Sequence, residues 1–227
     1  NPRMTAERKK TVRGMAVDIL DRIDRDRAYA EPLLDAVLTG TEIPNLPDRK
    51  LLTELVYGTL RMRGRLDWII GRLYRGKEST LETTPRNILR TALYQLLFTD
   101  RIPAFAAVNE AVGIARQRCP AAAGLVNAIL RNAIRNQENM TWPEMAKDPG
   151  RALSVLHSHP RWLVERWLDR YGIGETISIS RANNDVPPMT VRVNSLKISR
   201  EKIVTELSTN GIMAERTRFS PDGLHLL

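Results

Sequence analysis

Apolar side chains recur every three or four residues through most of the first 135 positions of the chain. This spacing is typical of amphipathic α-helices, whose apolar stripe faces a common core. The stripes predict seven helices, at about residues 12–23, 29–38, 48–60, 65–73, 84–97, 103–118 and 122–136. Seven consecutive helices predict one mainly α domain, a helical bundle over residues 5–137.

Local sequence signals mark the ends of several of these helices. Asp48 is a predicted N-cap for the third helix, and Thr84-Pro85 and Pro103 open the fifth and sixth. The sixth helix carries small residues at close spacing, which suits tight contact at the centre of a bundle, and Pro120 follows its end.

The periodicity changes after residue 137. The polar segment 137–150 contains Pro143 and Pro149 and is interpreted as a linker, and two helices are predicted to start at Pro160 and near Gly174. Beyond residue 184, apolar and polar positions alternate with the period of a β-strand. We therefore expect a linker with connector helices over 138–185 and, over 186–227, the beginning of a small α/β (RRM-like) domain with strands near 189–193, 212–219 and 224–227 and a helix capped by Ser199.

The charge balance points to a polyanionic partner. Thirty-five Lys and Arg against 26 Asp and Glu leave a formal net charge of +9, which favours nucleic acid. A basic surface kept for solubility and an anionic membrane surface are the alternatives. The sequence contains neither an apolar run of membrane-spanning length nor the pattern of a secretion signal, so we expect a cytoplasmic protein without membrane contact.

The two ends of the sequence carry a further expectation. Residue 1 is not methionine, and the last residues form an apolar run just after the turn signal at Asp222-Gly223. A strand that stops so abruptly is typical of a fragment. We therefore expect the chain to be truncated before a further domain.

The residues that commonly carry catalysis do not form a recognisable pattern in this sequence. There is no glycine-rich phosphate loop, and one cysteine with three histidines, His157, His159 and His225, lacks the spacing of a metal site. Nearby arginines could lower the pKa of Cys119, but no base accompanies it. His159 precedes Pro160 and is interpreted as a helix-start or packing residue. We expect no catalytic residue, metal ligand or cofactor-binding residue in this fragment.

Binding signals are clearer at the start of the first helix. Arg8, Lys9, Lys10 and Arg13 form a cluster that we call the basic arm. Cations at a helix N-terminus oppose the helix dipole, so a purely structural sequence favours acidic residues there. The arm is suited to phosphate contacts, and a frayed, solvated tail is the alternative.

The seventh helix carries the second binding signal. Asn127, Arg131 and Arg135 are spaced four apart and form what we call the α7 stripe. Arginine and asparagine donate hydrogen bonds to phosphates and to unpaired base edges, whereas an ordinary polar outer face is the alternative. Aromatic residues make up only 5% of the chain; Tyr29 and Phe105 are candidates for base stacking, and most of the tryptophans are interpreted as core anchors.

Three segments together resemble the NusB family. They are ILRTALYQL at 88–96, Ile102-Pro103 followed by AVNEAV at 107–112, and LVNAILR at 125–131, and the basic arm is similar too. The resemblance covers residues 5–137 and implies a helical RNA-binding fold. It assigns RNA binding to the basic arm and, with it, to Asn127 and Arg131, while Asn109 and Glu110 are interpreted as helix-packing groups.

The remainder of the chain resembles a second family. The segment HPRWLV at 159–164, with Trp167 and Gly172, is similar to the connector of Sun/Fmu (RsmB)-type methyltransferases, which act on cytosine C5 in 16S ribosomal RNA. PMTVRVN at 188–194 resembles the strand that opens their next domain. A stand-alone NusB factor would end near residue 140, so this tail favours the methyltransferase.

The second resemblance implies an activity whose residues are absent from this sequence. In that family the following domain binds S-adenosylmethionine, and a cysteine thiolate attacks cytosine C6 once the base has left its stack. The fragment itself is then expected to be inactive, with small-subunit ribosomal RNA and the missing catalytic domain as partners. The alternatives are a NusB-like transcription antitermination or regulatory module, and a helical protein-interaction domain. The sequence leaves open whether the NusB-like part contacts RNA or the catalytic domain.

Overall fold

The computed structural model describes residues 11–40, 43, 45–76, 80–99 and 102–227. Within them the chain forms ten α-helices and a three-stranded sheet. The elements are α1 Val12–Asp26, α2 Ala30–Thr39, α3 Leu46–Arg61, α4 Arg63–Leu73, α5 Thr83–Phe98, α6 Ala104–Arg118, α7 Ala123–Arg135, α8 Pro149–Leu156, α9 Arg161–Ala182, β1 Met189–Arg192, α10 Arg200–Thr209, β2 Ala214–Arg216 and β3 Gly223–Leu226. Residues up to Arg181 make one compact unit and Ala182–Leu227 a second, and the mainly α fold is confirmed.

Helix α5 is the central element of the first unit. It packs against α1, α3, α4, α6 and α7, and it is buried along almost its whole length, from Pro85 to Gln95. Its apolar positions Ile88, Leu89, Ala92 and Leu93 are at most 1% exposed. A helix enclosed on all sides must also bury its polar residues, so Arg90 and Gln95 need partners inside the bundle.

Helix α3 begins earlier than predicted, and the Asp48 cap is wrong. The N-cap is Asn45, whose side-chain oxygen accepts a hydrogen bond from the backbone N–H of Asp48 at 2.8 Å. The Asp48 carboxylate in turn accepts from Asn45 Nδ2 at 2.8 Å. This reciprocal arrangement stabilises the first turn with Asp48 inside the helix, where its charge complements the helix dipole.

The segment after α7 is docked on the bundle, although its polarity predicts a linker. Trp68 Nε1 donates to the Thr141 carbonyl at 3.2 Å, and the backbone N–H of Gly64 donates to Ser158 Oγ at 2.7 Å. The Arg65 guanidinium lies over the rings of Phe98 and Trp142, 5.3 and 4.8 Å from their centroids. These contacts attach the connector to α4, so bundle and connector belong to one compact unit.

The connector contains one short helix that the sequence did not predict and two helical segments that it did. The short helix α8 begins at the end of the predicted linker and is capped by Asp148, whose carboxylate accepts from the Arg151 N–H at 2.9 Å. The two helices predicted after Pro160 are present as the two halves of α9, which meet at a non-helical kink at Gly172 (φ 72°, ψ 178°). That backbone region is essentially restricted to glycine, so the kink depends on this residue.

The second unit contains an antiparallel sheet in the order β1-β3-β2. Met189 pairs with Leu226 across β1 and β3, and Ala214 pairs with the same Leu226 from β2. Helix α10 packs against β2, where Arg216 and Glu201 form an ion pair of 3.0 Å. Strand β2 is shorter than the predicted 212–219, because only Ala214–Arg216 are paired with β3.

Candidate nucleic-acid interface

The most buried cation of the described residues is held by acids and is closed to any ligand. Arg90 is 3% exposed and donates through Nε and Nη2 to the two carboxylate oxygens of Asp67, at 2.6 and 2.7 Å. Its Nη1 donates to Asp24 and to Asn87, both at 2.8 Å. We call these four residues the Arg90 cluster. The arginine of the ILRTALYQL segment therefore stabilises the bundle and is not a binding residue.

The electrostatics of the Arg90 cluster follow from this geometry. Burial alone would lower the pKa of Arg90, but the hydrogen bonds and charges of Asp67 and Asp24 outweigh it and raise that pKa. Asp24 also pairs with Arg63 at 2.9 Å. The Arg90 cluster thus joins α1, α4 and α5 inside the bundle.

One residue of the basic arm lies in the described part of the structure. Arg13 is half-buried, and its Nε donates to Gln95 Oε1 at 2.6 Å. This bond holds the start of α1 against α5. Arg8, Lys9 and Lys10 lie outside the described residues.

The α7 stripe occupies the outer surface of its helix. Arg131 and Arg135 are exposed and Asn127 is half-buried, while the opposite face buries Val126 and Leu130. Residues spaced by four drift about 40° per step around a helix, so the stripe slants across the surface. Within the described part of the chain, neither arginine has an acidic side chain within ion-pair distance.

Arg135 also lines a groove between α7 and the turn after α4, which we call the α4–α7 groove. Its volume is about 430 Å³, and its lining combines aliphatic side chains with two arginines. The lining residues are Leu73, Tyr74, Arg75, Gly76, Leu125, Ala128, Ile129, Asn132 and Arg135. Arg75 is exposed like Arg135, so the groove offers cations beside apolar surface, a combination that suits a strand with flat bases and charged phosphates.

Local packing makes the walls of the groove rigid. A Cβ atom at Gly76 would lie 2.5 Å from Cζ of Tyr74, so the glycine backbone lies directly on that ring. The Tyr74 hydroxyl is 3.0 Å from Thr80 Oγ1. On the opposite wall, Asn136 Nδ2 donates to Asn132 Oδ1, which orients the Asn132 amide with its own NH₂ group available as a donor.

The structure joins only part of the residues that the sequence singled out. Arg135 and Asn132 share the groove, and Asn127 and Arg131 continue the stripe beside it. Arg13 belongs to α1, which packs against α2, α3, α5 and α6, whereas α7 packs against α4, α5 and α6. Sequence reasoning missed Tyr74 and Arg75, because a turn residue shows no periodicity that would place it opposite another helix.

Two further sequence candidates, Cys119 and His159, have structural surroundings of their own. The pKa of Cys119 is raised, first by burial and then by the charges of Glu82 and Asp21, which outweigh Arg118. The expectation that arginines lower it is therefore wrong. His159 Nδ1 lies 2.7 Å from the His157 carbonyl and its ring packs edge-on against Trp167, in agreement with a packing role.

The exposure of several aromatic and polar side chains can be compared with the roles that the sequence predicted for them. Tyr29 and Phe105 are 83% and 71% exposed, as a stacking role requires. Trp162, interpreted as a core anchor, is 63% exposed, so that interpretation is wrong for this residue. Asn109 is also exposed and does not pack between helices; the sixth-helix face that it occupies points outward.

Metal sites and membrane spans are two further classes of feature. No cluster of three or more histidine, cysteine, aspartate or glutamate side chains in the described ranges has the arrangement of a metal site. No described helix is both long and apolar enough to cross a membrane.

Comparison with known proteins follows the two units. Residues 10–135 match the model of the NusB family, and residues 159–227 match that of the Methyltr_RsmF/B-like, ferredoxin-like domain. The chain is 34% identical over 221 residues to a probable ribosomal RNA small subunit methyltransferase B of Bacillus subtilis, covering 97% of the chain and 48% of the relative. It is 38% identical over 212 residues to ribosomal RNA small subunit methyltransferase B of Pseudomonas putida, covering 88% and 47%.

Solved structures show the same architecture. The structure of PH0851 superposes with a TM-score of 0.67 at 21% identity, covering 95% of this chain and 48% of that one. A chain from the structure of a plectonemic RNA supercoil superposes with a TM-score of 0.53 at 20% identity over 60% of this chain. The chain spans about half the length of the curated relatives that it matches. The family model matches more than half of the chain, and the helical bundle agrees with that match. This chain therefore belongs to the NusB family.

Proposed function

We propose that this chain is the RNA-docking part of an S-adenosylmethionine-dependent methyltransferase that forms 5-methylcytosine in 16S ribosomal RNA. The observation that carries the proposal is the unpaired arginine surface of α7, which continues into the α4–α7 groove. The relatives that share both parts of the chain are named as ribosomal RNA small subunit methyltransferases B. The proposed activity rests on those names, and the proposed role of this chain rests on the α7 surface.

The proposed docking is mainly electrostatic. Arg131, Arg135 and Arg75 are exposed and reach outward to phosphates, each contact releasing counterions from the RNA. Such contacts set the position of the RNA and carry no sequence information by themselves. The basic arm, Arg8, Lys9, Lys10 and Arg13, is proposed to make further phosphate contacts, and the Arg13–Gln95 bond holds the start of α1 against α5.

Base contacts are proposed for the groove and for Asn127. The amide of Asn132, held by Asn136, presents its NH₂ group to a base carbonyl or ring nitrogen. The aliphatic floor formed by Leu73, Leu125 and Ile129 accepts the face of an unpaired base. An A-form duplex keeps its base faces stacked and its major-groove edges in a deep, narrow groove, so this surface is suited to a loop or an unpaired strand.

The methyl transfer itself is proposed to occur in the part of the parent protein that this chain does not contain. S-adenosylmethionine supplies the methyl group when bound there, and the residues of this chain only bind and orient the RNA. The fragment is therefore expected to bind RNA in the cytoplasm without transferring methyl groups. The connector, docked on α4 through Ser158 and Thr141, would keep the docking surface in a constant relation to α9.

The test is RNA binding by the chain as it stands. Fluorescence anisotropy with a small-subunit ribosomal RNA hairpin, across a salt series, is expected to show a steep loss of affinity with salt. The double variant Arg131→Ala/Arg135→Ala should bind about tenfold or more weakly, with the salt slope reduced by about 2. Arg22→Ala is the control for the loss of an exposed positive charge, because Arg22 is also exposed but pairs with Asp26.

Three outcomes decide the proposal. Preference for the ribosomal hairpin over a scrambled hairpin and duplex DNA, lost in the double variant, supports it. Equal loss in Arg22→Ala would mean that net charge alone drives binding, and it would remove the assignment to α7. No RNA binding at low salt would overturn the docking role and favour a helical protein-interaction domain.

A further inference from the structure

An exposed tryptophan on α9 has no role in the fold or in the surface described above. Trp162 is 63% exposed, whereas Trp68, Trp142 and Trp167 are only partly exposed and each makes a contact within the unit. Exposing so large an apolar ring to water is unfavourable. A ring left exposed while its helix neighbour Val164 is fully buried indicates a binding surface.

Cations accompany Trp162 at helix spacing. Arg166 and Arg170 follow it at intervals of four residues, and both are exposed. The guanidinium of Arg170 lies 5.5 Å from the centroid of the Tyr171 ring, which leaves its nitrogens open at the edges. Arg166 has no acidic side chain within ion-pair distance among the described residues. The α7 stripe has the same spacing, with Asn127 in the place of the tryptophan and two arginines after it.

We propose that Trp162, Arg166 and Arg170 form a second RNA contact, in which an unpaired base stacks on the tryptophan and the arginines bind the adjoining phosphates. This inference rests on the proposed RNA-docking function and adds to it a site in the connector. A base covers the indole face and removes its apolar surface from water. Phosphates on either side of that base fall within reach of long cationic side chains one and two turns away.

The chemistry of this face favours RNA over an apolar protein partner. An apolar docking surface is built from several contiguous aliphatic residues around an aromatic anchor. Here the residues one and two turns after Trp162 are arginines, and Arg161 beside it is held by Asp148 and Glu165 at 3.2 and 2.6 Å. An exposed aromatic plane followed by exposed cations is the arrangement that stacks nucleotides in strands without base pairing.

The test compares two substitutions at one position. A single-stranded RNA of about ten nucleotides is titrated into the chain, with a blunt RNA duplex of the same length as a second probe. Trp162→Leu keeps an apolar side chain but removes the stacking plane, and it is expected to weaken single-strand binding about tenfold. Trp162→Phe keeps an aromatic plane and should bind within about threefold of the unaltered chain. Duplex binding should change in neither variant.

A second measurement uses the unaltered chain. Photocrosslinking with bromouridine-substituted single-stranded RNA is expected to place a crosslink on the peptide that contains Trp162. Both variants are expected to melt at the temperature of the unaltered chain within experimental error, because a ring that is mostly in water contributes little to stability. Equal melting temperatures confirm that the variants fold.

The outcomes separate this inference from the proposed function. If Arg131→Ala/Arg135→Ala weakens RNA binding and Trp162→Leu does not, the α9 contact is overturned and docking through α7 stands. If Trp162→Leu and Trp162→Phe bind equally, the ring is not a stacking plane, and the absence of a crosslink on its peptide would also overturn the contact. If the unaltered chain binds neither probe at low salt, both proposals fail together.

Discussion

Arginines occupy two contrasting environments in this molecule, the Arg90 cluster and the α7 stripe. Arg90 is enclosed by Asp24, Asp67 and Asn87, with four hydrogen bonds of 2.6 to 2.8 Å. Arg131 and Arg135 project into water without an acidic partner in the described part of the chain. The same side chain thus stabilises a fold in one place and remains available to a ligand in the other.

The difference lies in which charges accompany the guanidinium. A buried cation requires acids because its desolvation costs several kcal/mol, and α1 and α4 provide them. An exposed cation needs no partner for stability, and an unpaired one retains its attraction for phosphate. Pairing, rather than residue type or motif, therefore separates the structural arginines from the proposed binding arginines here.

The largest effect is expected for Arg90→Met. The substitution removes the two hydrogen bonds that Asp67 receives from Arg90 and leaves Asp24 with Arg63 alone, so the free energy of unfolding should fall by about 3–5 kcal/mol. Urea unfolding followed by circular dichroism measures it. A loss of less than about 1 kcal/mol would mean that the acids relax into water, and the contrast with α7 would then be one of degree only.

A smaller effect is expected for the half-buried pair of Arg118 and Asp18. Their closest atoms are 2.6 Å apart, with side chains 22% and 43% exposed. Arg118→Ala should lower the free energy of unfolding by about 1 kcal/mol, because water screens part of the interaction. The same urea titration places this variant between Arg90→Met and the α7 variants, and an effect as large as that of Arg90→Met would contradict the role of burial.

A third prediction concerns a cation that burial disfavours. The pKa of His157 is lowered, first by burial and then by the nearby charges of Arg181, His159 and Arg65. Since the ordinary pKa of histidine is about 6.5, the unfolded chain takes up the proton first as the pH falls. Stability contributed by neutral His157 is therefore complete above about pH 6.5 and is lost on acidification towards the lower folded pKa.

Melting temperatures at a pH about one unit above and one unit below the ordinary histidine pKa test this prediction. The decrease on acidification should be smaller in His157→Gln than in the unaltered chain. An equal decrease in both would assign the pH dependence to other groups.

The smallest effect on stability is expected at the α7 stripe itself. Arg131→Ala and Arg135→Ala should each change the free energy of unfolding by no more than about 0.5 kcal/mol, while each lowers the salt slope of RNA binding by about 1. Parallel urea and anisotropy titrations measure the two quantities on the same samples. A variant that is destabilised but binds RNA with unchanged affinity would contradict the assignment of RNA binding, rather than stability, to these two arginines.

Much of the fold follows from local pattern. The amphipathic stripes located all seven helices of the bundle, and alternation after residue 184 located β1. The same reasoning failed at α8, where an eight-residue helix begins with Pro149 and Gly150 in a polar setting. A helix that short forms because it packs against α4, and its own sequence contributes too little periodicity to reveal it.

The proposed binding surface, the α7 stripe with the α4–α7 groove, was predictable only in part. A stripe with a period of four is visible in sequence, so Asn127, Arg131 and Arg135 could be named, and the resemblance to a known family supported them. Tyr74 and Arg75 could not, because they reach α7 only when α4 and α7 pack together. Trp162 was misassigned since hydrophobicity predicts burial on average and says nothing about which single ring stays outside.

By itself, therefore, the sequence of this protein determined which segments are helical, the excess of positive charge and the membership of a family. These properties depend on neighbours within a few turns and on composition. Only the tertiary structure decided which arginines are neutralised, which tryptophan is exposed and which turn faces α7. Those outcomes depend on contacts between residues far apart in sequence, such as the 66 positions that separate Asp24 from Arg90, and no local pattern encodes such a contact.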